Sequence, residues 1–192
     1  MLSSINPLGE RSRLQRFWVT VSWYLLGSLM GGVAIGSVSG LIGSVLPSGN
    51  WRAIAVIGVC LVGAVLDIAS RQPPSVHRQV DENWLAKYRG WVYGLGFGFQ
   101  LGLGVVTIVT TASVYTTIAL AMLSGSLVLG AVVGGIFGLA RAMAIFLVAG
   151  ARDPSTLRLA LRRLQDGLTS ARLLVVGAQA AAALSAIVWV IR

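Results

Sequence analysis

Residues 17–46 read FWVTVSWYLLGSLMGGVAIGSVSGLIGSVL, with no charged side chain anywhere in the run. A helix needs about 20 apolar residues to cross the hydrocarbon core of a bilayer, and this run is longer. A signal peptide has an apolar core of only about 7–15 residues, so the run is expected to stay in the membrane as an anchor. Four more stretches share its character, at residues 51–69, 91–123, 127–151 and 173–191. The sequence therefore predicts an all-α integral membrane protein forming one polytopic domain over residues 1–192. It would have five transmembrane helices, or six if a long stretch divides.

Composition agrees with that reading. Hydrophobic residues make up 56% of the chain and charged residues 11%, against roughly 25% charged in soluble domains. The net charge of +9 invites a nucleic-acid reading. However, the basic residues lie in the polar breaks between apolar stretches and do not stripe one face of a folded module. That placement suits lipid headgroups and argues against nucleic acid.

The clusters also set an orientation. Arg11, Arg13 and Arg16 precede the first stretch, Arg71, Arg78, Lys87 and Arg89 follow the second, and Arg152, Arg158, Arg162, Arg163 and Arg172 follow the fourth. With one crossing per stretch, all three clusters fall on one side, cytoplasmic by the positive-inside rule. The expectation is a cytoplasmic (inner) membrane protein with its N-terminus in the cytoplasm.

Residues 17–46 and 91–123 exceed the roughly 25 residues that even a tilted helix uses. Both are rich in glycine, so each either projects from the bilayer or breaks where its open backbone faces protein or water. Glycine recurs every four residues at Gly32, Gly36 and Gly40, at Gly94, Gly98 and Gly102, and at Gly130, Gly134 and Gly138. That spacing clears one helix face for close approach of another backbone, or lines a hinge. The same faces could support a homo-oligomer. A glycine-rich stretch, a second stretch and a basic loop occur twice, which suggests an internal repeat.

The fourth break carries its own element. Asp153-Pro154 pairs an N-cap acceptor with a proline suited to the first helical turn. Leu157, Leu161, Leu164 and Leu168 then share one face while Arg158, Arg162 and Arg163 lie off it. The pattern predicts an amphipathic helix over residues 154–168 in the membrane interface, with partner docking as its alternative use.

Arg141 lies deep within an apolar stretch. A charge at that depth costs several kcal/mol unless it is paired or hydrated, so it should face the bundle interior, with Asp67 a candidate partner. Gln100, Thr107, Thr111 and Tyr115 fall roughly on one face of the third stretch. With Arg141 they form the candidate substrate-binding set; helix packing and bonds back to the helix carbonyls are the structural alternative. One cysteine, Cys60, and one histidine, His77, are too few for a structural zinc site or a disulfide. No hydrolase elbow, phosphate loop or pair of haem ligands is present. No cofactor, metal or catalytic residue is expected, and the chain does not read as an enzyme.

The run Gly94-Leu95-Gly96-Phe97-Gly98-Phe99-Gln100-Leu101-Gly102-Leu103-Gly104, followed by a break and then Phe137-Gly138-Leu139-Ala140-Arg141, resembles the membrane domain of the CcdA/DsbD-type cytochrome c biogenesis proteins, within the wider LysE-like exporter group. The resemblance covers about a third of the chain, from Tyr93 to near Ala151. It implies a broken-helix scaffold. Members of the redox family relay electrons through paired intramembrane cysteines beside prolines. Here Val105, Val106 and Thr107 stand where a cysteine would fall, and Cys60 has no partner. The first half also has one helix fewer than the family's three-plus-three arrangement. A transport or scaffold role would then replace the thiol relay. The leading expectation is a transporter-like protein with a polar intramembrane cavity for a small polar or anionic solute. The alternative is a non-catalytic membrane subunit, or an assembly or biogenesis factor, of a larger membrane complex.

Overall fold

In residues 17–46, no proline or charge interrupts the backbone ladder and most side chains suit a helix. In the computed structural model, which describes residues 5–69, 87–104, 112–151 and 153–191, they form one continuous helix. We label it α2 (Phe17–Val45, 29 residues), after a short α1 (Pro7–Ser12). At about 1.5 Å per residue it is about 43 Å long. The long glycine-rich stretch is therefore not broken. Then follow α3 (Trp51–Ile68), α4 (Gly90–Leu103), α5 (Ser113–Leu123), α6 (Leu127–Ala142), a 3₁₀ turn at Met143–Leu147, α7 (Pro154–Asp166) and α8 (Leu168–Ile191). Among the described residues all regular structure is helical. Among the described residues, four helical segments, Phe17–Val45, Trp51–Ile68, Leu127–Leu147 and Ser170–Val188, are long and apolar enough to cross a membrane.

The second long stretch does divide. Gly104 closes α4 with φ of 75°, in the left-handed region that favours glycine, and α5 begins only at Ser113. The two halves of the suspected repeat thus differ, since α2 is continuous and its counterpart is split.

Glycine organises the bundle around α2. On one face, Gly32 lies against Gly134 and Gly138, Gly36 against Gly130 and Gly134, and Gly40 against Ser126 and Gly130. One number rises as the other falls, so α2 and α6 are antiparallel. On another face, Gly27 and Gly31 meet Leu95 and Phe99, while Gly98 and Gly102 meet Tyr24 and Ser28. These numbers rise together, so α2 and α4 are parallel. A Cβ at any of these glycines would press into a backbone carbonyl. Close approach lets Ser28 Oγ donate across the gap to Gly138 O at 2.7 Å. In lipid, where apolar burial gives helices no reason to associate, such backbone contact supplies the packing.

α3 and α8 pack against one another at the side of this trio. Large apolar side chains point outward throughout, among them Val45 (85% exposed), Val128 (66%) and Leu174 (76%). Outward-facing apolar side chains in this number suit a lipid surface better than water.

Two ends are closed by side chains. Arg52 donates from Nη2 to Gly43 O at 2.9 Å and Leu46 O at 2.6 Å, which satisfies one carbonyl of the last turn of α2 and that of its cap residue. At the opposite end of α2, Glu10 is fully buried and accepts from Tyr93 Oη at 2.6 Å and Thr20 Oγ1 at 2.7 Å, with Arg13 Nη1 at 3.4 Å. α1 is thereby pinned beneath α2 and α4, and Ile5 enters a cluster with Tyr24, Tyr93, Phe97 and Ile145.

α7 starts at Pro154, but its cap differs from the sequence expectation. Thr156 Oγ1 accepts from Asp153 N at 3.1 Å and donates to Asp153 O at 2.7 Å. The threonine hydroxyl thus ties the first turn back to the backbone of Asp153, the side-chain-to-cap half of a capping box. Leu157 and Ala160 pack toward the Ile5 cluster, while Arg158, Arg162 and Arg163 are exposed.

A candidate functional site at the helix break

Breaking a helix inside a bundle opens two charged ends. The C-terminal carbonyls of α4 carry partial negative charge and the N-terminal amides of α5 carry partial positive charge. The chain sets one ionisable side chain against each. Arg141, in the last turn of α6, donates from Nη1 to Leu101 O at 2.9 Å. Asp67, near the end of α3, accepts from Ala112 N at 2.7 Å through Oδ1. The signs match the helix ends in both cases.

This arrangement corrects the expected pairing of Asp67 with Arg141. They stand on opposite sides of the break, each bound to a different helix terminus. The other Asp67 oxygen, Oδ2, accepts from Gln179 Nε2 of α8 at 3.2 Å. Asp67 and Gln179 are 3% and 6% exposed, so α3, α5 and α8 are joined here by a buried polar link.

A cavity of about 620 Å³ lies between α5, α6 and α8. Ser113, Thr117, Phe137, Arg141, Val175 and Gln179 are on its wall, and the Arg141 guanidinium sits 5.5 Å from the centre of the Phe137 ring. A second cavity, about 760 Å³ and almost wholly apolar, lies between α3 and α5 with Val62, Gly63, Ala112 and Tyr115 on its wall. Thr116 borders both.

Of the candidate set from sequence, the described residues Arg141, Tyr115 and Gln100 do not share either of these two cavities. Arg141 faces the first cavity and Tyr115, which is 41% exposed, faces the second. Gln100 is half-buried on α4 and lines neither of these two cavities. The division of the third stretch into α4 and α5 removes the single helical face that linked Gln100 to Tyr115. Thr107 and Thr111 lie outside the described residues, as do His77, Asp81 and Glu82. The inward position expected for Arg141 is observed, with a helix carbonyl as one partner. Sequence reasoning missed Gln179 altogether. Its signal was available, since Gln179 is the only amide side chain within residues 173–191.

Comparison with known proteins adds one likeness. The chain is 29% identical over 147 residues to the methylamine utilization protein MauF of Paracoccus versutus, covering 73% of this chain and 54% of that protein. It is 28% identical over 151 residues to the protein of the same name from Methylophilus methylotrophus, covering 75% and 53%. The chain thus spans about half the length of the curated relatives it matches. No family model and no solved structure matches it.

Proposed function

We propose that this chain is a non-catalytic membrane accessory protein, a subunit or an assembly factor of a larger membrane complex. In this reading it crosses the cytoplasmic membrane five times, with α4 and α5 together forming the third pass and the N-terminus in the cytoplasm. The observation that carries the proposal is the use made of the two mid-bundle charges. Arg141 holds the end of α4 and Asp67 the start of α5, so both serve to stabilise a broken helix. Polar groups inside a membrane bundle are expensive and mark function or a built architecture; here each has an architectural partner. The likeness to proteins named for methylamine utilization supports an auxiliary place in the use of a small amine. The exposed α7 arginines, on a helix whose Leu157 and Ala160 pack against the bundle, offer the docking surface.

The test is purification of the tagged full chain in mild detergent from its own membrane. A stoichiometric partner is expected, and it should be lost when Arg158, Arg162 and Arg163 are all changed to Glu. A chain that purifies alone, with or without the change, would sink the proposal.

A transport reading draws on a different observation, the cavity of about 620 Å³ that reaches Arg141 beside the break. It requires water to reach that cavity. Single cysteines at Ser113 and Thr117, in a background with Cys60 replaced by Ser, would react with a membrane-impermeant thiol reagent if it does. Absence of labelling would leave the accessory reading alone.

A further inference from the structure

The turn from α1 into α2 closes in a Schellman arrangement. Gln15 N donates to Glu10 O at 2.9 Å and Leu14 N to Arg11 O at 3.1 Å. The corner residue of such a turn takes a left-handed φ, and glycine is usual there. Here it is Leu14, with φ of 57°. A Cβ in that region crowds the following carbonyl and costs free energy. Among the described residues, Leu14 is the one non-glycine with positive φ. Its side chain gains nothing from the fold in return, since it is 95% exposed. A strained and exposed leucine calls for an apolar contact from outside the chain.

The neighbouring side chains define the chemistry of that contact. Trp18, one turn into α2, is 62% exposed, and Trp91, at the start of α4, is 47% exposed. Exposed tryptophans at helix ends sit at the bilayer interface, which places Leu14 near the boundary of headgroups and acyl chains. Gly90 N donates to Gln15 Oε1 at 3.4 Å, so the starts of α2 and α4 lie side by side. Arg16 and Arg89 are the residues just before these two helices. Both are exposed, as are Arg11 and Lys87. Neither helix has an acidic residue in its first turn. Glu10 is fully buried and taken by Tyr93, Thr20 and Arg13. The described residues of α1, α2 and α4 therefore offer no exposed acid to balance this cationic rim.

We infer that the rim is a binding surface for an anionic phospholipid. The phosphate lies among Arg16, Arg89 and their basic neighbours, and an acyl chain covers Leu14 and Trp18. One molecule then supplies both the negative charge and the apolar surface, which neither a free anion nor a neutral lipid does. By holding Leu14, the lipid steadies the turn that carries Glu10, and with it α1. The inference rests on the membrane placement alone. It goes beyond both functional readings, since neither gives the chain a lipid ligand.

The test uses the purified full chain in dodecyl maltoside micelles, with thermal unfolding followed by tryptophan fluorescence. Dioleoylphosphatidylglycerol is titrated against dioleoylphosphatidylcholine and soluble glycerol 3-phosphate. Phosphatidylglycerol is expected to raise the Tm in a saturable way. The other two are not, because one has no net charge and the other no acyl chain. Changing Arg16 and Arg89 together to Gln should weaken the apparent affinity roughly thirtyfold, at about fivefold per cation near a membrane surface. The same change at Arg158 and Arg162 on α7 should cost far less. Leu14→Gly should raise the lipid-free Tm, since glycine accepts this φ, yet reduce the shift that phosphatidylglycerol produces. No saturable shift, or an equal one with phosphatidylcholine or glycerol 3-phosphate, would overturn the inference. So would an α7 variant that loses as much as the Arg16 and Arg89 variant, or an undiminished shift in Leu14→Gly. The wild-type comparison of the three ligands is decisive even if a variant does not fold.

Discussion

At the residue scale, the buried Glu10 makes the clearest demand. Its carboxylate sits under the bundle with Tyr93 and Thr20 as donors. Tyr93→Phe keeps the ring and removes the short bond, so it should cost about 1.5–3 kcal/mol, the range for a hydrogen bond to a charged group. The change in unfolding midpoint in detergent checks this. A loss near zero would mean that α1 is not held by this carboxylate. The glycines allow a paired comparison. At Gly134 a Cβ would meet the Gly32 carbonyl, whereas at Gly177 nothing lies within 4 Å. Gly134→Ala should therefore destabilise by about 1–3 kcal/mol through overpacking. Gly177→Ala should be neutral or stabilising by up to about 1 kcal/mol, since alanine favours the helix. Equal responses would contradict the packing assigned to α2 and α6. The four-residue spacing of Gly32, Gly36 and Gly40 was visible in the chain. Which helix it would face was not, because spacing specifies a face and leaves its partner open.

At the element scale, the split between α4 and α5 requires both of its charged neighbours. Asp67→Leu removes the acceptor for Ala112 N and for Gln179 Nε2. Two buried donors are then left without partners, at about 1–3 kcal/mol each. Asp67→Asn keeps an acceptor for Ala112 N and should be milder. Unfolding midpoints for the two variants, compared with Arg141→Met, will rank these contributions. If Asp67→Leu is no worse than Asp67→Asn, the carboxylate does not cap α5. The break was partly legible, since the stretch is too long for one helix, and Gly104 is followed by VVTIVTT at residues 105–111. Those residues are all β-branched, a class with lowered helix propensity. The similar length and glycine content of residues 17–46 raised the same expectation there. α2 nevertheless stays whole, because its interior glycines are held in place by the backbones of α4 and α6.

At the scale of the whole molecule, the orientation proposed from the basic clusters gives a direct prediction. A cysteine at Ser48, between α2 and α3, should react with an impermeant reagent from outside intact cells. One at Arg163 on α7 should react only after the membrane is opened. The reverse pattern would invert the assignment of inside and outside. Arg52 does not weaken the orientation, because its guanidinium is taken up by the carbonyls that end α2.

By itself the chain determined what depends on composition and local periodicity. Long uncharged runs demand helices that satisfy their own backbone, basic breaks between them suggest a side, and glycine ladders mark faces where helices approach. Those properties are carried by residues near one another in sequence. The charges were decided otherwise. Nothing within α3 or α6 says that Asp67 would cap α5, that Arg141 would close α4, or that Gln179 would join Asp67 from more than a hundred positions away. Each pairing depends on which helices lie side by side and at what height. That follows from the backbone contacts of α2 and from the packing of α3 against α8, and only the tertiary structure contains it.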